Sequence, residues 1–232
     1  MRRFAAAAIL FVLSAVPELL AHNYLPETPG SVVTSISDVS VSRAAYRVLS
    51  QGDQVDVYEF TAKKGQELYV QMTIPYLECM QGFAPGFVLV YAGEGPAEFT
   101  SPQLQKGRIV DALSGESPAI GVEYDGSEPL VFDEPFTGTR YWIRQTLTVS
   151  APADGVYRIL VYSPRKQTGK YVLAPGRKEQ FGFGDILTLP AVRWKVREFC
   201  EEPLWPDALL WTVVGAAVVG GIAFGVYKVI QR

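Results

Sequence analysis

Residues 53–72 read DQVDVYEFTAKKGQELYVQM, two runs of alternating apolar residues about a Lys-Lys-Gly turn. Val55, Val57, Tyr58 and Phe60 make one strand, Leu68, Val70 and Met72 alternate through the next, and Lys63, Lys64 and Gly65 turn the chain between them. A period of two marks a strand with one buried face, because successive side chains point to opposite sides. The stretch predicts a hairpin. The same alternation returns at Phe87 to Tyr91, Ile120 to Tyr124, Leu130 to Phe132, Tyr141 to Val149, Val156 to Tyr162 and Tyr171 to Leu173, with Gly and Pro clusters between. About eight strands, and no amphipathic helical stretch of ordinary length, predict an all-β domain, a jelly-roll-type β-sandwich.

The chain's two ends predict where this domain sits. Met1, Arg2 and Arg3 precede an apolar stretch from Phe4 to Val16, then Pro17 and the small residue Ala21, the order of a signal peptide over residues 1–21. Ala208 to Tyr227 holds no charged residue, and Trp205, Trp211 and Tyr227 flank it as an aromatic belt would. This predicts a single C-terminal transmembrane α-helix over 207–228, with a cytoplasmic tail at 229–232 and the domain outside the cytoplasm at the cell membrane. Between them lie a lead-in at 22–52, the sandwich at 53–176 and a juxtamembrane collar at 177–206. In the collar, Pro190 is placed to open a short helix with Val192, Val196 and Phe199 on one face, lying against lipid headgroups or against the sandwich.

Composition narrows the chemistry. Charged residues make up 19% of the chain and the net charge is -3, which gives no electrostatic footprint for nucleic acid. One histidine, His22, excludes an HExxH zinc site and any two-histidine metal cluster within one chain. The sequence lacks GxSxG, a Walker A loop, a GxGxxG opening a helix, and CxxC. Cys79 and Cys200 both fall in the exported stretch, where a disulfide between them is the economical expectation. Closing so long a loop would contribute about 4 to 5 kcal/mol on the chain-entropy model.

The run D53–M72, with A153-DGVYRILVYS-163 and T168-GKYVL-173, resembles the two ends of the bacterial pre-peptidase C-terminal domain family. In that family an Asp-x-x-Tyr-x-Phe-like strand leads through a Lys/Gly turn into an apolar strand. The family closes on two Gly-x-Tyr strands. The resemblance implies a non-catalytic jelly roll that sometimes holds calcium or grips a polymer. Residues 74–140 depart from the family's short centre as a long Pro- and Gly-rich excursion, either loops covering one end or a binding surface.

Candidate sites are few. Glu123, Asp125, Glu128, Asp133 and Glu134 crowd one stretch and supply the oxygen ligands that Ca²⁺ takes, against the plainer reading of a solvated acidic loop. Phe132 to Phe136, followed by Tyr141 and Trp142, either present aromatics to a sugar or partner or pack in the sandwich. Ala217, Gly221 and Gly225 form a small-residue ridge for helix packing. No cofactor other than Ca²⁺ is suggested. The function expected is a non-catalytic, membrane-anchored binding module at the cell envelope. Its partner would be a protein, or a second copy in the membrane, with a glycan or extracellular polymer as further ligands. Alternatives are an accessory subunit docked through the transmembrane helix and, behind it, a carboxylate-dependent hydrolase.

Overall fold

The computed structural model describes residues 23–26, 32–94, 97–110, 118–180 and 183–205 with isolated positions beyond, and of 183–187 the backbone alone. The chain forms β1 (Asn23–Tyr24), β2 (Val33–Ser35), β3 (Arg43–Leu49), β4 (Asp56–Ala62), β5 (Glu67–Pro75) and β6 (Gly86–Tyr91). Then come β7 (Gln103–Lys106), β8 (Arg108–Val110), β9 (Ala119–Glu123), β10 (Leu130–Glu134), β11 (Thr139–Ser150), β12 (Gly155–Tyr162), β13 (Gly169–Pro175) and a helix, α1 (Phe183–Phe199).

The strands build two facing sheets. A seven-stranded sheet runs β1-β3-β13-β5-β11-β10, with β7 also on β11, and a six-stranded sheet runs β2-β4-β12-β6-β9-β8. Strands consecutive in the chain repeatedly change sheet, which is the winding of a jelly roll. β4 and β5, the two strands of residues 53–72, are therefore not a hairpin. They lie in different sheets, and Lys63 to Gly65 is a corner whose Gly65, at φ 80°, donates its N–H to Ala151 O. Alternation shows one buried face; a hairpin and a corner satisfy it equally.

Between the sheets the alternate residues meet in one core that includes Leu68, Val70, Met72, Phe87, Leu89, Leu147, Ile159 and Leu173. A polar chain crosses it. Tyr58 of β4 and Tyr171 of β13 share a hydrogen bond of 2.7 Å, Tyr171 donates to Asp56 Oδ2 at 2.5 Å, and Gln54 Nε2 donates to Asp56 Oδ1 at 2.8 Å. The two ends of the sandwich sequence are thus joined inside the fold.

Three strands lie in residues 22–52, where the hydropathy pattern shows none. β3 pairs with β13 along Ala45 to Leu49, but its Arg47 is buried and spends its guanidinium on the carbonyls of Leu25 and Tyr46, which breaks the apolar period. The helix is the other departure from an all-β chain. It starts at Phe183, carries Pro190 inside it, and lays Val192, Val196 and Phe199 on the outer face of the seven-stranded sheet against Ala44, Tyr46, Tyr141 and Val172. Arg193 and Arg197 reach the carbonyls of Phe136 and Thr137 in the β10–β11 turn, and Lys170 Nζ caps Phe199 O at 2.8 Å. Burying a side chain such as Val196 contributes about 1.5–3 kcal/mol.

Two expectations are corrected here. No helix among the described residues is long and apolar enough to cross a membrane, which overturns the single transmembrane helix over 207–228 and the single-pass placement built on it. Most of that segment, with Ala217 and Gly225 of the ridge and the leader at 1–21, lies outside the described residues; Gly221 is described, helical and exposed. The disulfide is the second. Cys79 and Cys200 are both free thiols. Cys79 is exposed in the β5–β6 loop, whose Met80 packs on the inter-sheet core, whereas Cys200 is buried on the outer face of the seven-stranded sheet. They stand in different surroundings, one open to solvent and one inside the outer-face cluster, and no bond joins them.

Cys200 donates to Tyr141 Oη at 3.3 Å, and burial pushes its thiol up to about 11. Burial likewise raises the phenols of Tyr46, Tyr141 and Tyr171 above their ordinary 10.0. Groups raised on folding give stability that is whole below their unfolded values and is lost as pH climbs through the folded ones. Stability should therefore hold up to pH 9.0, the ordinary thiol value, and fall progressively beyond 10.0. Denaturant melts across pH 7–12 with phenolate absorbance check this; buried tyrosines that ionise without unfolding would contradict it. Maleimide should label Cys79 rapidly and Cys200 only on unfolding, and reductant should leave Tm unchanged.

A candidate recognition surface at the beta-11 bulge

β11 pairs with β5 along its length, except that the register slips between Ile143 and Gln145, leaving Arg144 as an extra residue. Such a bulge twists the strand and re-aims the side chain it carries. Arg144 is 2% exposed, the largest fully buried side chain. Its Nη2 donates to Gln81 O at 2.6 Å, and its guanidinium lies 4.6 Å from the ring of Tyr124 and 5.5 Å from that of Trp142. Among the described residues no carboxylate pairs with it, and its buried Nε has no partner. Burial pulls its pKa down, with Tyr124 opposing.

The stack continues outward. Tyr76 meets Trp142 with ring centroids 4.4 Å apart, and Arg140 lies 5.4 Å over Tyr76. Arg140, Tyr76, Trp142, Arg144 and Tyr124 therefore form one continuous stack, with two rings in contact at its centre and Arg144 as its most buried member. Each such contact is worth about 0.5–2 kcal/mol according to its desolvation. Tyr76 is among the exposed large hydrophobic residues.

Beside the stack runs β10. Val131, Trp142 and Ile74 are directly paired across three strands, so they share the core-facing side of the sheet. Exposure rises along that row from Ile74 at 0% through Trp142 at 8% to Val131 at 51%. Leu130, on the opposite face of β10, is 56% exposed. Apolar residues thus stand open on both faces of an edge strand.

The five acidic residues are not brought together. Glu123 accepts from Tyr162 Oη at 2.9 Å and Arg108 Nη2 at 3.0 Å. Asp125 accepts from Ser127 N and Oγ at 3.0 and 2.6 Å, bonds that hold its carboxyl below the usual range. Glu128 gives its carbonyl to Lys106, and Asp133 pairs with Arg140 at 2.5 Å. Glu134 is buried and takes the amides of Phe136 and Thr137 at 3.0 and 2.6 Å, tying the β10–β11 turn. Among the described residues no group of three or more His, Cys, Asp or Glu is placed to hold a metal ion.

A cleft of about 600 Å³ opens between β1, β3 and α1, walled by Tyr24, Tyr46 and Phe199. Its ring faces are already engaged. Tyr24 stacks on Tyr46, Lys195 lies over Tyr24, and Lys170 lies over Phe199.

Sequence reasoning singled out Tyr141 and Trp142 and missed Tyr76, Tyr124, Arg140 and Arg144. One signal was present: Arg144 and Gln145 follow the apolar run Tyr141 to Ile143 and break the strand's period of two. Both are buried, and Gln145 spends Nε2 on Pro85 O at 2.7 Å.

The fold and this surface define a jelly-roll sandwich with one helix docked on its outer face. No protein-family model matches the chain, and no curated protein matches it either. Among solved structures, the periplasmic inhibitor of g-type lysozyme PliG from Aeromonas hydrophila matches over 61% of this chain and 94% of its own, at 18% identity and a TM-score of 0.35. PliG from Salmonella Typhimurium matches over 68% and 99%, at 17% identity and 0.30. The surface-associated copper-binding protein CorA of Methylomicrobium album BG8 matches over 68% and 99%, at 10% identity and 0.31. Scores this low carry no argument about what this chain binds. The pre-peptidase resemblance has no counterpart among these matches.

Truncating the stack should cost stability at its buried end. Trp142→Ala should lose about 3–5 kcal/mol, and Arg144→Met about 1–3 kcal/mol. Urea unfolding measures both; a loss under about 0.5 kcal/mol, the scatter of surface substitutions, would remove Arg144 from the structural core of the site.

Proposed function

We propose that this chain is a non-catalytic binding module that takes a protein partner on the β10 side of its sandwich. The observation that carries the reading is the row Ile74, Trp142, Val131, which runs from the buried core to a half-exposed valine beside a stacked Tyr76 and Arg140. Tyr, Trp and Arg are the residue types that dominate binding energy at protein interfaces. Holding them in a stack before binding reduces the ordering cost of association. A carboxylate-dependent hydrolase is the weaker reading, because Glu123, Asp133 and Glu134 are each committed to partners of their own.

A photo-reactive amino acid at position 131 should cross-link a protein in the native cell, and the same group at Val55, exposed elsewhere on the sandwich, should not. Tyr76→Ala should reduce the adduct severalfold with little change in Tm. Equal adducts at both positions, or an adduct indifferent to Tyr76, would sink the reading.

A further inference from the structure

The seven-stranded sheet ends at β10, and among the described residues nothing pairs with the outer edge of that strand. An open edge is a row of unpaired N–H and C=O groups, and proteins usually blunt one with charge, proline or a covering element. Here Leu130 and Val131 stand half-exposed on opposite faces, so an added strand would gain apolar contact on both. Pro129 and Pro135 bracket the strand. Proline gives no N–H, so pairing is confined to the short run between them, long enough for one inserted segment and too short for extended sheet growth.

Charge at the two ends of β10 differs. At the Glu134 end, Asp133 and Arg140 neutralise each other. At the Pro129 end, the exposed carboxylates of Asp125 and Glu128 face one ammonium, Lys106, which donates to Glu128 O and acts on Asp125. That end keeps an excess of negative charge. We infer that β10 accepts an extended segment of a partner protein, paired edge to edge, apolar at alternate positions and carrying a lysine or arginine that meets Asp125 and Glu128.

This inference rests on the proposed function and gives its mode of binding. Its test uses the full chain and three synthetic peptides: alternating valine and threonine with a lysine at one end, the same with glutamate there, and the lysine peptide interrupted by proline. Amide chemical-shift mapping should place the lysine peptide on Leu130 to Asp133. Its affinity should exceed that of the glutamate twin by about threefold, the scale of exposed ion pairs. The preference should reverse in the double variant Asp125→Lys and Glu128→Lys, and the proline peptide should fail to bind.

Equal affinity of the twins overturns the charge assignment. Shifts away from β10, or binding by the proline peptide, overturn strand addition. A dimer in sedimentation velocity that is abolished by Val131→Lys makes a second copy the occupant and overturns the inference as well. Failure here with position 131 still cross-linking a partner through Tyr76 would leave the binding-module reading standing; loss of that cross-link would remove both.

Discussion

β11 is twelve residues long and the strand it faces across the sandwich, β9, is five. Trp142 and Arg144, in the N-terminal half of β11, take their partners from loops. The loop after β5 brings Tyr76 and Gln81 against Trp142 and Arg144, and the turn after β9 brings Tyr124 over the Arg144 guanidinium. The bulge at Arg144 sends a charged side chain where an alternating strand would have placed an apolar or outward one. The exposed Tyr76 and the half-open row ending at Val131 lie beside these contacts, along the free edge of β10.

Elsewhere the sandwich is closed more thoroughly. Tyr58 and Tyr171 hold the two sheets together through buried hydroxyls, and Asp56 accepts the last proton of the chain. A buried polar network of this kind specifies one arrangement of the sheets, because any slip leaves a hydroxyl or carboxylate without its partner. On the outer face of the seven-stranded sheet the work is done by α1, whose apolar residues cover Ala44, Tyr141 and Val172 and whose arginines bind the turn that Glu134 ties from the other side. Of the two placements that the sequence left open for this helix, lipid headgroups or the sandwich, its apolar residues take the second, as part of the sandwich's own covering layer.

The acidic stretch shows how a compositional signal disperses in three dimensions. Five carboxylates close in sequence sit on the end of β9, in the turn after it and on the edge strand β10 of the other sheet. Two meet arginines, one organises an Asx turn and one caps a buried turn. Only Glu128 keeps a side chain without a protein partner among the described residues, and it lies beside the open edge.

Alternation located β4, β5 and β12, where the period survives in Tyr58 and Phe60, in Leu68, Val70 and Met72, and in Tyr157, Ile159 and Val161, while β6 and β13 stand out as apolar runs buried on both faces. The eventual interior was therefore written into residue spacing. Spacing carries no information about which sheet a strand joins, so the corner at Gly65 reads as a hairpin. It is also blind to strands whose inward positions are polar, as in β3 with Arg47. Sulfur pairing, the place of α1 and the surface around Arg144 depended on which distant segments came to lie face to face. They were decided by tertiary contacts between segments far apart in the chain, which exist only once it has folded.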